Sequence, residues 1–77
     1  MEIEIITPER ELFKGDVKSV KLPGANGGFE VLNNHAPIIS TLTKGKIQVT
    51  TNKETRDFEI GGGVIEMQAN KIIILAE

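Results

Sequence analysis

Apolar residues recur at every second position along most of this 77-residue chain, and no stretch sustains a helical rhythm. Met1, Ile3 and Ile5 fall to one side and Glu2 and Glu4 to the other, as a half-buried strand requires. Between Asp16 and Leu22, Val20 and Leu22 alternate with Ser19 and Lys21. Ile38 to Leu42 reads as a further strand. Ile47, Val49 and Thr51 then alternate with Lys46, Gln48 and Thr50. Beyond Asn52-Lys53-Glu54, Phe58 and Ile60 share a face against Asp57 and Glu59, so these two runs read as a hairpin. A last hairpin pairs Val64 to Gln68 with Lys71 to Leu75 around Ala69-Asn70. Its return strand, Ile72-Ile73-Ile74-Leu75, is apolar on both faces and reads as a central strand.

The breaks are equally regular. Thr7-Pro8-Glu9, the turn pair Gly15-Asp16, Pro23-Gly24, Thr43-Lys44-Gly45 and Gly61-Gly62-Gly63 break the pattern, and no window of 11 or more residues keeps the helical i, i+3, i+4 spacing without a Gly or Pro interrupting it. Ala25-Asn26-Gly27-Gly28 reads as an exposed loop. Short strands closed by glycine turns predict an all-β fold, a small two-sheet β-sandwich or flattened barrel of about ten short, mostly antiparallel strands. Residues 1–77 form one domain, whose core must be compact because so short a chain buries only about 60% of its unfolded surface.

At the middle lies Gly27-Gly28-Phe29-Glu30-Val31-Leu32-Asn33-Asn34-His35-Ala36-Pro37-Ile38-Ile39, with the only histidine. Asn tolerates left-handed backbone and Pro fixes its own φ, so residues 33–37 read as a rigid turn between strands. A loop fixed in this way suits protein recognition. Phe29, Val31, Leu32, Ile38 and Ile39 together exceed what so small a core can bury, and such an excess predicts a partner surface.

Chemistry is sparse. With no cysteine there is no disulfide, thiolate zinc site or cysteine nucleophile. One imidazole cannot hold zinc alone, and no spacing supports Ser40 and Asp57 as partners in a His35 triad, so His35 reads as a turn or contact residue. Gly61-Gly62-Gly63 lacks the following helix that a phosphate cradle needs, which leaves a bulge or a close backbone approach. Gly45-Lys46 is followed by Ile47 where a P-loop requires Ser or Thr. Glu2, Glu4, Asp57, Glu59 and Glu66 sit at polar strand positions, a solvated sheet face. A net charge of −2 with scattered basic residues, and no Trp or Tyr, argues against nucleic acid as a partner. No catalytic, metal or cofactor residues are expected. No apolar run approaches the ~20 residues of a membrane span. The acidic, alternating N-terminus is unlike a signal or transit peptide, which points to a cytosol-like compartment or an organelle entered with an import sequence since removed.

The order of residues resembles the N-terminal β domain of the epsilon subunit of the F-type ATP synthase, called delta in mitochondria. The shared features are Pro8-x-x-x-Leu12-Phe13-x-Gly15, then Gly27, Val31 and Leu32 leading into His35-Ala36-Pro37, and Leu42-x-x-Gly45-x-Ile47. The last is Gly62-Gly63-x-x-Glu66-Met67-x-x-Asn70-x-Ile72-x-x-Leu75-Ala76. Together they cover essentially the whole chain.

The resemblance implies a β-sandwich in the rotating central stalk, bridging the gamma subunit and the polar loops of the c-ring and linked through gamma to the alpha/beta catalytic head. It implies a non-catalytic part of a proton- or sodium-driven synthase, peripheral on the cytoplasmic face of the bacterial inner membrane or the equivalent organellar face. Asn26, Gly27, Gly28 and Phe29 correspond to the ring-facing loop. Thr7, His35 and Ser40 correspond to the gamma-facing side. Many relatives carry an acid where this chain has Gly28, a glycine at Glu30, and Pro-Gly at Asn33-Asn34. In the long form of the family a helical hairpin follows Leu75-Ala76; residues 1–77 contain none, and with it would go its restraint of ATP hydrolysis and its nucleotide site. The rival reading is a small β-sandwich protein-binding adaptor unrelated to the synthase.

Overall fold

A computed structural model describes all 77 residues, and every regular element is a strand. In chain order these are β1 (Glu2–Ile6), β2 (Glu11–Asp16), β3 (Ser19–Leu22), β4 (Phe29–Leu32), β5 (Ile38–Leu42), β6 (Gly45–Thr50), β7 (Thr55–Ile60), β8 (Gly63–Gln68) and β9 (Lys71–Ala76). One sheet has the order β2-β1-β9-β8-β5 and the other β4-β3-β6-β7. The two-sheet β-sandwich expected from alternation is therefore present, with nine strands. Only β1 and β9 pair in parallel; all other ladders are antiparallel.

Alternation becomes burial because each strand shows one row of side chains to the opposite sheet. Ile3, Ile5, Ile72, Ile74, Ile65 and Met67 come from the five-stranded sheet, and Val20, Val31, Ile47 and Val49 meet them from the other. All ten are essentially without solvent contact. No polar or charged residue is buried. At one side of the sandwich the register of β1 on β2 shifts between Ile5 and Ile6, a bulge that lets the adjacent Leu12 and Phe13 both pack on the core. The Phe13 ring meets Phe58 of β7 at 5.7 Å between centroids, and the Arg56 guanidinium lies over both. That cluster closes the β2/β7 side.

Several boundaries differ from expectation. Gly15 and Asp16 are not a turn: they continue β2 opposite Ile3 and Glu2, and the chain reverses at Val17-Lys18, so β3 begins only at Ser19. Gly45 opens β6 opposite Ile60, and Gly63 opens β8 opposite Ala76. Gly45 was expected to close a strand and instead opens one, against the Pro23 ring, whereas at Gly63 the expected close backbone approach is present. A Cβ on Gly63 would lie 2.3 Å from the Leu75 carbonyl oxygen, and Gly62 and Gly63 have φ of 143° and 152°. The glycine run is thus a close backbone approach where the chain passes from one sheet to the other.

Strand β9 is central, between β1 and β8, yet only one of its faces is covered. Ile72 and Ile74 are buried, whereas Leu75 is 53% exposed and Ile73 half-buried.

Candidate functional site

The expected rigid turn is there and is held from outside itself. Asn34 takes a left-handed φ of 62°, and its N–H donates to Asn70 Oδ1 at 2.8 Å. Asn70 Nδ2 donates to Asn33 Oδ1 at 3.0 Å, and the Met1 nitrogen donates to the same oxygen at 3.3 Å and to Asp16 Oδ1 at 2.9 Å. Four chain segments (the start of β1, the end of β2, the 33–37 turn and the β8–β9 turn) therefore share one network. The His35 N–H donates to Leu32 O at 3.2 Å, and its Nδ1 lies 2.8 Å from Ala36 O. The imidazole is exposed and engaged by its own turn.

The remaining singled-out residues divide between the two ends of the sandwich. β1, β9 and β5 run in the same direction, so Met1, Asn70 and His35 mark one end. Ile6, Thr7 and Leu42 mark the other, with the β3–β4 turn bridged to Leu42 through Gly24. Asn26, Gly27 and Gly28 are exposed in that turn, where Gly27 (φ 122°) donates its N–H to Gly24 O. Phe29, expected with them, instead packs on the core, its ring against Gly24. Thr7 closes the β1–β2 turn, its Oγ1 donating to Arg10 O and accepting from the Arg10 N–H. Ser40 is half-buried on β5 in register with Ile65. Thr7, His35 and Ser40 are thus not gathered into one patch.

What the fold does gather is a face. On the outer side of the five-stranded sheet, Ile6 pairs with Leu75 and Leu75 with Val64, an apolar row across three strands that ends at Thr41 on β5. The next row is Glu4, Ile73, Glu66 and Ile39. Val64 is 44% exposed, and Ile39 reaches 83%. The outer side of the four-stranded sheet is more polar. Lys21 lies across from Glu30 and Gln48, Gln48 Nε2 donates to Asp57 Oδ1 at 3.0 Å, and Lys46 pairs with Asp57 at 3.6 Å. Charged side chains dominate that sheet, with Leu32 its one exposed large apolar group, whereas the other, beside its Glu4–Lys14 ion pair, leaves Leu75, Val64 and Ile39 open, the pattern of a partner-covered face. Of the apolar residues expected in excess, Val31 is fully buried and Phe29 and Ile38 pack on the core, while Leu32 and Ile39 are exposed. Sequence reading missed Leu75 and Val64. The signal was present in the four-residue apolar run of β9, which one buried face cannot absorb.

Three comparisons bear on this arrangement. The family model for the ATP synthase delta/epsilon chain β-sandwich domain matches residues 1–77. The chain is 44% identical over 77 residues to the ATP synthase epsilon chain of Caulobacter vibrioides, covering all of this chain and 90% of that one. It is 41% identical over 76 residues to the epsilon chain of Chlorobaculum tepidum, covering 97% and 86%. Among solved structures, a chain from the central stalk and c-ring of the Tetrahymena thermophila mitochondrial ATP synthase superposes with a TM-score of 0.85 at 20% identity. The match covers 97% of this chain and 61% of that chain, and at that identity it speaks for the fold.

Proposed function

Since this chain belongs to the ATP synthase delta/epsilon β-sandwich family, we propose that it is a non-catalytic central-stalk subunit that joins gamma to the c-ring and so helps couple ion translocation to ATP synthesis. It is part of a membrane-bound enzyme complex and peripheral to the bilayer, on the face that carries the catalytic head. The observation that carries this reading is the asymmetry of the two sheets. A spacer in a rotor needs one adhesive face and one wet one, and the apolar rows around Leu75, Val64 and Ile73 supply the first. Gamma covers that face. The exposed turn Asn26-Gly27-Gly28 meets the ring at the opposite end from His35, with Glu30 the nearest acid along the chain.

The stiffness required of such a part follows from the core. Ten side chains without solvent contact interlock the sheets, and the Phe13–Phe58–Arg56 cluster pins their shared side, so torque is transmitted without shear between layers. The test is capture of purified gamma by the intact chain and by Leu75→Lys. With Leu75 half in solvent, the variant keeps its fold to within about 1 kcal/mol, while gamma binding falls by at least about tenfold, since a charge must then be desolvated in the interface. Undiminished capture by Leu75→Lys removes the apolar face from the proposal, and failure of the parent chain to capture gamma removes the proposal itself.

A further inference from the structure

Edge strands present unpaired backbone N–H and C=O groups, and charged side chains are the usual device that keeps other chains from adding to them. The edges here are β2 and β5 of one sheet and β4 and β7 of the other. Three of them are guarded: β2 by Glu11, Lys14 and Asp16, β4 by Glu30, and β7 by Arg56, Asp57 and Glu59. β5, Ile38-Ile39-Ser40-Thr41-Leu42, carries no charge.

Half of β5 is covered within the fold. The Ala25 N–H donates to Thr41 O at 2.9 Å and the Thr43 N–H to Pro23 O at 2.8 Å, so Thr41 and Thr43 aim their backbone groups away from β8. In an antiparallel ladder that aim alternates from residue to residue. Ile38, Ser40 and Leu42 therefore bond toward their partners Met67, Ile65 and Gly63, and Ile39 directs both its N–H and its C=O outward. No turn or loop reaches either group. The Ile39 side chain is the most exposed large apolar group of the chain, and a shallow groove bounded by Pro37, Ile39, Glu66 and Gln68 lies beside it.

We propose that the first half of β5 is a strand-docking edge. An extended segment of a partner chain adds to the five-stranded sheet as a sixth strand, exchanging backbone hydrogen bonds with Ile39. The incoming strand stops short of Thr41, where Ala25 already stands. Its residue facing Ile39 is apolar, to cover the exposed Ile39 side chain, and is not an acid, because Glu66 stands on the far side of Ile39. The proposal rests on the function given above in one respect, the choice of gamma as the probe.

The experiment is amide hydrogen exchange on the intact chain, free and with saturating purified gamma. In the free chain the Ser40 amide exchanges slowly and the Ile39 amide fast. With gamma bound, the Ile39 amide slows at least about tenfold. Ile39→Pro removes the outward N–H together with the isoleucine side chain, without breaking a bond to β8, and weakens gamma binding about tenfold, whereas Ile39→Ala, which loses the side chain but keeps the N–H, weakens it less; thermal melts establish that both variants are folded. If gamma binds while Ile39 still exchanges fast, the docking edge is refuted and the central-stalk reading stands. If gamma does not bind, both fall. If Ile39 slows with rising concentration of the chain alone, the occupant is a second copy and the partner-strand proposal is overturned.

Discussion

Replacing Asn70 tests whether the mid-chain turn is held by the β8–β9 hairpin or merely rests beside it. Asn70 does two things at once. Its φ of 59° is left-handed, and its side chain accepts from the Asn34 N–H at 2.8 Å and donates to Asn33 Oδ1 at 3.0 Å. Asn70→Ala removes both hydrogen bonds and leaves an L-residue without a local polar contact in the left-handed region. Each bond contributes about 0.5–1.5 kcal/mol net, toward the lower end here because the groups are near water. The backbone conformation adds about 1 kcal/mol, since Asn visits it more readily than Ala. The expected cost is about 2–3 kcal/mol. Asn70→Gly loses the same two bonds but fits the backbone, and should cost about 1 kcal/mol less than Ala.

Urea unfolding followed by far-ultraviolet circular dichroism reads both values. With a slope of about 1 kcal/mol/M, at the low end of the small-protein range, the Ala variant shifts the midpoint down by about 2–3 M. A double-mutant cycle with Asn33→Ala then isolates the side-chain pair, for which a coupling of about 1 kcal/mol is expected. An Ala variant within about 0.5 kcal/mol of the parent would show that the network adds nothing. Equal costs for Ala and Gly would show that the φ at residue 70 is not a constraint.

Ala69 precedes Asn70 with a φ of 52°, so the two-residue loop has both central residues left-handed, as the twist of the flanking strands requires. Ala69→Gly is accordingly stabilising by about 0.5–1 kcal/mol, read as a rise in urea midpoint. Ile74→Ala, in the strand flanked on both sides and without solvent contact, costs about 2–5 kcal/mol; a negligible shift in the same titration contradicts the placement of that core. Gly63→Ala forces a Cβ onto the Leu75 carbonyl at a φ of 152° and should cost more than about 3 kcal/mol, seen as loss of a cooperative transition.

The alternating strands were legible because a period of two has one structural meaning when one face is buried. Glycines were less legible, because sequence records that a side chain is missing and not the reason. Gly15 is absorbed within β2, Gly27 is a turn, and Gly63 admits a neighbouring backbone. The β2 bulge could not be read either. Leu12 and Phe13 break the alternation, and only the shift of register against Ile5 and Ile6 shows how both reach the core. The residues that hold the central turn were invisible for a further reason. Asn70 lies 36 positions from Asn34, and nothing local marks it as a partner. Asn26 to Gly28 were found as a loop from their own composition, while Phe29 joined them only through the family correspondence, and its apolar side chain turns to the core.

The run Ile72-Ile73-Ile74-Leu75 shows how a fold-level inference can succeed in one respect and change meaning in another. A strand apolar on both faces has to be central among its neighbours, and β9 is, between β1 and β8. Being covered on both faces takes a second layer on each side, and a two-layer sandwich supplies only one. The outward half of the run, Ile73 and Leu75, is therefore left facing solvent. Val64 and Ile6 extend it across β8 and β1. Exposure of this kind has no role in an isolated domain, where water would be held against a row of aliphatic groups at a cost of roughly 25 cal/mol per Å² left uncovered. The sequence of β9 is thus written for three layers in a chain that builds two. A third layer over Ile73, Leu75 and Val64 would complete the burial that the β9 sequence is patterned for, and that makes the apolar face, more than the histidine turn, the place to look for what covers it.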